Sequence, residues 1–405
     1  MKIRSITYFC NPRWPLDRNV LDNAGRFIAS ARTAYEAAGY EVQTARLATI
    51  PFPHLLPSLR RKELIQVARE LETAGSSHGF EYIALGPALL ESPESYPLIP
   101  DAIAATSNVF FCGMMTAEQG GVSLPAVRAC AEVIHRIAPL LPDGFANLRF
   151  AAIANVQPGG PFLPAAYYQD KPPAFALATQ AADLGVEAFS SADSLAEGRQ
   201  RLISSIEDHA QAMAHVGHRL EQKLGVHFGG IDFSLAPFPQ TQLSFGTAIE
   251  RLGVPAVGLH GSLAAAAILA DTLDRAHYPR AGFNGLFLPL LEDATLARRA
   301  AEGFLTLKDL LLYSAVCGTG LDTIPLPGAI TIEQMGAVLL DVAALAQRLD
   351  KPLAARLMPI PGKKAGDMTN FDFEYFTNSR VLAVEAQPLQ GLLTGDETFT
   401  LNPRS

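Results

Sequence analysis

Two acidic residues occupy matching positions in a phrase that the sequence contains twice. Residues 229–239 read GGIDFSLAPFP and residues 318–328 read GTGLDTIPLPG, so that Asp232 and Asp322 stand ninety residues apart. A carboxylate at the end of an apolar strand can bind a divalent cation, transfer a proton or accept backbone N–H groups. The alternative is that each aspartate only caps its own turn. Because the phrase is doubled, we hypothesise one catalytic or metal-binding site built from two half-structures.

A third charged residue interrupts an apolar stretch near the C-terminal end. Arg356 lies in LAARLMPIPGKK, where an arginine is costly unless it is paired or faces a polar interior. Its simplest partner is Asp232 or Asp322, and its functional interpretation is a fork that holds a substrate carboxylate or phosphate. Lys363, on the following turn, would add positive charge, although a solvated turn lysine is the commoner case.

Two more side chains are candidates for proton transfer or nucleophilic attack. His260, in VGLHGS, follows a predicted strand at 256–259 and is the candidate general acid or base, the alternative being a core histidine bonded to a carbonyl. Cys317 lies between a helical run and the second aspartate phrase, where an accessible thiol could be reactive. The alternative for this cysteine is simple burial.

Three neutral polar residues lie near the same predicted strand ends. They are candidates for hydrogen bonds to a substrate, with turn formation as the alternative, and they are Asn155, Ser234 and Asn284. A divalent cation is the cofactor that the paired aspartates would hold, and a small-molecule ligand is the expected partner.

Composition narrows the class of protein. The 405 residues include 49% hydrophobic and 18% charged residues, enough apolar material for one large α/β domain over 1–405. The formal net charge of -8 makes nucleic acid and anionic membranes poor partners. Four cysteines without framework spacing, and a polar N-terminal stretch, predict a reducing cytoplasm. The oligomeric state stays open, a homo-oligomer included.

Short apolar runs alternate with helical patterns along the whole chain. Strands are predicted over residues 3–9, 41–47, 82–85, 108–112, 149–156, 174–179, 229–235, 256–259, 285–290, 321–324, 353–358 and 381–384. The clearest helix is predicted over 194–224 with a glycine C-cap, and another runs from 331 to 349. This alternation favours βαβ units with largely parallel strands. The Pro- and Gly-rich stretch 156–173 is either a functional lid or a crossover between two halves.

Four segments in order resemble the uncharacterised "PFL family" of bacteria and archaea. They read FGGIDFSLAPFP, GLHGS, AVCGTGLDTIPLPG and RLMPIPGKKAGD, and the resemblance is strongest over about residues 145–370. It implies a ten-stranded α/β barrel of the pyruvate formate-lyase-like type, made of two half-barrels with a hairpin inside. It does not imply radical chemistry, because Ala383 stands in RVLAV where such enzymes need glycine.

Three functional hypotheses follow. The first is an enzyme without a glycyl radical that acts on a small anionic metabolite inside the barrel. The second is a non-catalytic binding or sensor protein with the same pocket. The third makes the Asp and Arg residues a structural ion network.

Overall fold

The computed structural model describes residues 1–117, 120–316 and 318–403. Within them, nine strands form one sheet in the order β8-β7-β1-β2-β3-β4-β6-β10-β9, and β5 pairs with β11 separately. The strands are β1 (Lys2–Cys10), β2 (Val42–Thr49), β3 (Tyr82–Ala88), β4 (Val109–Met114), β5 (Val122–Ser123), β6 (Phe150–Ala154), β7 (Ala174–Gln180), β8 (His227–Ala236), β9 (Gly320–Pro327), β10 (Leu353–Ile360) and β11 (Thr398–Phe399).

The large sheet contains two groups of strands that run in opposite directions. Strands β1, β2, β3, β4 and β6 are parallel to one another. Strands β7 and β8 run the other way on one side, and β10 and β9 do so on the other. The sequence prediction of largely parallel pairing is therefore confirmed, with two antiparallel junctions where the groups meet.

Helices cover the sheet, and the ends of two of them coincide with capping residues in the sequence. Helix α7 begins after the Ser194 N-cap and ends at Gly225, whose φ of 69° suits glycine. Helix α12 has a capping box between Thr331 and Gln334. The helices are α1 (Arg18–Ala37), α2 (Phe52–Leu55), α3 (Arg61–Ser77), α4 (Ile99–Ala104), α5 (Leu124–Ile137), α6 (Ala182–Ser190), α7 (Leu195–Leu224), α8 (Phe245–Arg251), α9 (Ser262–Arg275), α10 (Ala294–Glu302), α11 (Leu307–Val316) and α12 (Ile332–Arg348).

Residues 279–292, called the bridging segment below, contact both edges of the sheet. Arg280 forms a parallel bridge with Ile231 of β8, and Pro289 forms one with Asp322 of β9. These are isolated bridges and not a continuous ladder, so the predicted strand at 285–290 is not part of the hydrogen-bonded sheet. A closed ten-stranded barrel is consequently not confirmed. The observed fold is a mixed α/β fold with a nine-stranded sheet.

Residues 156–173, called the plug loop, connect β6 to β7 across one face of the sheet. Leu163 packs among residues of β1 to β4 and β7, including Phe9 and Phe110. Ala165 packs in a cluster that includes Ile153 and Ala354. The middle of the loop is therefore buried inside the molecule.

Other predictions were wrong in detail. The predicted strand 256–259 forms a turn with one isolated bridge, because glycines and prolines surround a run too short to pair. Residues 381–384 likewise form no strand.

Cys10, Cys112 and Cys130 are buried free thiols, whereas Cys317 lies outside the described residues. Over the described ranges, no helix is both long and apolar enough to cross a membrane.

Candidate functional site

Asp232 ties the bridging segment to the edge strand β8. Its carboxylate accepts backbone N–H groups of Phe283 at 2.9 Å and Asn284 at 3.2 Å. It also accepts the N–H of Ser234 at 3.0 Å and the hydroxyl of Ser234 at 2.5 Å. The close approach explains Gly282, since a Cβ there would lie 2.3 Å from an Asp232 oxygen.

Ser234 and Asn284 complete this clamp from the two sides. The Ser234 hydroxyl accepts the Gly285 N–H at 3.2 Å, and the Asn284 side-chain oxygen accepts the Phe233 N–H at 3.0 Å. Burial raises the pKa of Asp232, and these hydrogen bonds oppose the rise. Three predicted site residues are thus brought together, and the carboxylate accepts three backbone N–H groups and one serine hydroxyl.

Asp322 has a different environment, built on an ion pair. Arg356 donates to its two oxygens at 2.5 and 2.8 Å, a bidentate fork in which all the groups are buried. The same guanidinium donates to Glu292 at 3.0 Å and to the Leu148 carbonyl at 3.4 Å. The predicted pairing of Arg356 with an aspartate is observed at Asp322, and Glu292 is an additional partner.

Arg4, on β1, adds a second guanidinium to the network. It pairs with the second oxygen of Glu292 and donates to the Pro237 carbonyl at 3.2 Å. Burial works to raise the pKa of Glu292, but Arg4 and Arg356 outweigh it and lower that pKa overall. Burial works to lower the pKa of Arg356, but Asp322 and Glu292 raise it overall. Two guanidinium groups and two carboxylates thus form one network in which each group contacts a partner of opposite sign.

A cavity of about 60 Å³ lies against this network. By volume it has room for roughly four water molecules. Strands from both groups supply its walls, and the plug loop and the segment after β10 add aromatic residues. The lining side chains are Arg4, Gln43, Thr44, Arg46, Tyr82, Phe110, Leu148, Phe162, Leu163, Glu292, Arg356, Phe373 and Tyr375. We call it the arginine cavity.

Arg46 differs from the other two arginines of this cavity, because no carboxylate among the described residues pairs with it. It donates to Thr44 at 3.0 Å and lies 5.8 Å from the centre of the Tyr82 ring. Within the described part of the chain it forms no ion pair. Burial, and next the neighbouring Arg4, lowers the pKa of Arg46 to about 10. Three guanidinium groups thus face two buried carboxylates, and the excess positive charge favours a bound anion.

Two tyrosines supply neutral hydroxyl groups beside Arg46. Burial raises the pKa of Tyr82, with Arg46 opposing the rise. Burial also raises the pKa of Tyr375, and the exposed Glu374 adds to this rise. Both hydroxyls are therefore protonated near neutral pH and can donate a hydrogen bond to an anion.

The other predicted site residues lie elsewhere. His260 is exposed in the turn before α9, and Lys363 is half-buried on the turn after β10. Asn155 ends β6 at the end opposite Leu148, where it donates to the Ala346 carbonyl at 2.9 Å. Cys317 lies outside the described residues. The proposed set of Asp232, Asp322, His260 and Arg356 is therefore joined only in the pair Asp322–Arg356.

The described residues give little support to a shared metal site. No group of three or more His, Cys, Asp or Glu side chains among them could hold an ion. Donors of hydrogen bonds surround the Asp232 carboxylate, and Arg356 engages both oxygens of Asp322. Both aspartates are thus already satisfied in ways that a cation would have to disrupt.

Sequence reasoning missed the arginines of the first two strands. Arg4 and Arg46 lie in predicted apolar strands, so the argument applied to Arg356 would have singled them out as well. Glu292 lies beyond the predicted strand 285–290, and no local pattern marks it. Tyr82 looks like an ordinary strand residue.

The fold and the cavity define a mixed α/β protein with an internal, positively charged cavity. The chain belongs to the family described as "Uncharacterised ACR (DUF711)", whose model matches residues 1–379. It is 30% identical over 381 residues to a UPF0210 protein of Pyrobaculum arsenaticum, covering 90% of this chain and 83% of that relative. It is 28% identical over 376 residues to a UPF0210 protein of Syntrophobacter fumaroxidans, covering 88% and 82%. The expectation of an uncharacterised family spanning archaea and bacteria is confirmed, and these names state no activity.

Proposed function

We propose that the chain is a small-anion-binding protein whose ligand occupies the arginine cavity. The observation that carries this proposal is Arg46, a guanidinium in the cavity wall without a carboxylate partner among the described residues. Arg4 and Arg356 hold their own carboxylates, so the expected ligand carries about one negative charge. The cavity volume limits it to a few non-hydrogen atoms, or to the acidic end of a larger molecule.

We further propose that the sheet and the bridging segment form a ten-stranded barrel of the pyruvate formate-lyase-like type. The directions of the strands, five one way and four the other, support this arrangement. The bridging segment would be the tenth strand, since its two bridges are parallel to β8 and β9. The arginine cavity would then lie inside the barrel, beside the plug loop.

Catalysis on the bound anion is the second candidate. Tyr82 favours it, because a protonated hydroxyl beside Arg46 can act as a general acid. The described lining contains no serine, cysteine, lysine or histidine, its Thr44 hydroxyl donates to the Arg4 carbonyl, and its Glu292 is paired with Arg4 and Arg356. For this reason binding without turnover ranks first.

The test compares acetate with its neutral isostere acetamide by calorimetry and by thermal unfolding. Acetate is expected to bind and to raise Tm, acetamide to do neither, and Arg46→Met to abolish the acetate effect. Arg26→Met, an exposed change on α1, is the matched control and keeps the effect. Equal responses to acetate and acetamide, or an Arg46→Met protein that still binds acetate, would refute the proposal.

A further inference from the structure

A second cavity lies where the strands of the first group end. Asn11 follows β1, Ile50 follows β2, Leu89 follows β3, and Met114 ends β4, and all four line a cavity of about 630 Å³. Ligands of open α/β sheets bind outside the carboxyl ends of parallel strands. Ligand pockets typically have volumes of roughly 300–1,000 Å³. Position and size together mark this strand-end cavity as a binding site.

The plug loop separates this cavity from the arginine cavity. Its Phe162 and Leu163 line the arginine cavity, whereas its residues 167–170 line the strand-end cavity. The plug loop thus lines both cavities, but no described residue lines both of them. The second site therefore does not depend on the anion-binding proposal.

Apart from two tyrosines, the ionisable side chains that line the strand-end cavity are the carboxylates of Glu91 and Asp170 and the imidazole of His54. Glu91 lies 3.6 Å from His54, and Asp170 accepts a hydrogen bond from the Asn11 amide at 3.0 Å. No arginine or lysine from the described ranges lines the cavity. Both carboxylates are exposed, so water screens part of their charge, but the sign of that charge favours a cation here.

Aromatic rings contribute a second feature that suits a cation. Tyr168 is buried and stacks on Phe9 with ring centres 5.3 Å apart, and its hydroxyl donates to the Pro172 carbonyl at 3.0 Å. The Tyr167 hydroxyl donates to the Val156 carbonyl at 2.8 Å. Because these hydroxyls bond to the plug loop itself, the rings are held rigidly in the cavity wall. Aromatic rings with nearby carboxylates recognise ammonium groups.

We propose that the strand-end cavity binds an organic cation, a primary or quaternary ammonium compound. Asp170 and Glu91 supply the negative charge, and Tyr167 and Tyr168 supply the aromatic surface. The apolar residues at the ends of β2 and β3 accommodate the carbon skeleton of the ligand. This site is distinct from the arginine cavity in position, charge and ligand.

The experiment uses choline and its uncharged isostere 3,3-dimethylbutan-1-ol, with binding measured by calorimetry and by ligand-observed NMR. Choline is expected to bind at least about tenfold more tightly than the alcohol, because only choline carries the charge. The double variant Glu91→Gln/Asp170→Asn is expected to lose at least about tenfold of the choline affinity. Glu70→Gln/Glu132→Gln changes two exposed helix carboxylates and serves as the matched control.

The outcomes separate the two sites. Arg46→Met should leave choline binding unchanged, so that failure of the anion proposal does not affect this one. Equal affinity for choline and the alcohol, or no binding of choline up to about 10 mM, would overturn the proposal. The comparison of the two ligands on the unaltered protein decides the matter even where a variant does not fold.

Discussion

Asp232 and Asp322 occupy the same place in a repeated phrase, yet their environments differ. Asp232 is held by backbone N–H groups and a serine hydroxyl, and it forms no ion pair with the residues that the structure describes. Asp322 is held by Arg356, which also pairs with Glu292. Each aspartate adjoins one end of the bridging segment, the first at Phe283 and Asn284, the second at Leu290, whose N–H donates to the Asp322 carbonyl.

The difference shows which properties a local motif determines. The phrase places a carboxylate on an edge strand next to the bridging segment in both copies. The partner of that carboxylate comes from elsewhere in the chain, as a clamp of neutral donors in one copy and as a guanidinium from β10 in the other. The hypothesis of two equivalent half-sites is therefore replaced by one structural clamp and one charged network beside a cavity.

The largest effect is expected for Arg356→Met. Removal of this guanidinium leaves the buried Asp322 carboxylate without a cation, which costs about 3–5 kcal/mol of unfolding free energy. Urea denaturation measures the loss. The double variant Arg356→Met/Asp322→Asn should recover part of it, because the stranded charge is then absent. A single variant as stable as the unaltered protein would show that the two aspartates are energetically alike.

Asp232→Asn is expected to have a smaller effect. The amide oxygen can still accept one or two N–H groups, but the amide nitrogen meets other donors, so the cost is about 1–3 kcal/mol. Acetate binding in the arginine cavity should be unchanged, since Asp232 does not line it. Loss of acetate binding in a folded Asp232→Asn protein would contradict the division into clamp and network.

Ser234→Ala should cost about 1 kcal/mol, because it removes one hydroxyl that both donates to Asp232 and accepts from Gly285. Thermal unfolding beside Ser30→Ala, an exposed serine on α1, provides the comparison. A cost for Ser30→Ala equal to that for Ser234→Ala would remove the evidence for the clamp.

The smallest effect concerns pH. The pKa of Asp232 is higher in the folded protein than in the unfolded chain. At pH values between these two pKa values, the folded state therefore binds more protons than the unfolded state. The free energy of unfolding therefore falls as pH rises through that window. Asp232→Asn lacks this titration, so its deficit relative to the unaltered protein should shrink as pH rises. Urea unfolding from pH 4 upward tests the sign, and a deficit that grows with pH would reverse it.

The sequence predicted the helices and strands better than it predicted whether the sheet closes into a barrel. Nine predicted strands match the nine strands of the sheet, and α7 and α12 begin and end at their predicted caps, because periodicity and capping are local properties. The sequence failed at residues 256–259, where an apolar run ends in a glycine turn. It could not predict that the bridging segment is held by side chains, since that depends on atoms about fifty residues away in Asp232.

The sequence predicted only those parts of the candidate site that leave a local pattern in the chain. Arg356 was recognised because its charge interrupts an apolar strand, and the pair with Asp322 followed. Arg46 also interrupts a predicted strand, so the argument applied to Arg356 extends to it. Glu292 becomes a site residue only through the sheet order, which brings β1 and β10 to the same cavity.

The ion pair between Arg4 and Glu292 has a consequence for synthesis of the chain. The two residues are 288 positions apart, so a nascent chain on the ribosome exposes Arg4 and Arg46 long before Glu292 exists. Water must hydrate these guanidinium groups during that interval, and the first strands cannot dry their inner face. Translation past residue 292 therefore supplies the carboxylate that pairs with Arg4, and a fragment that stops short of it should remain accessible to proteases.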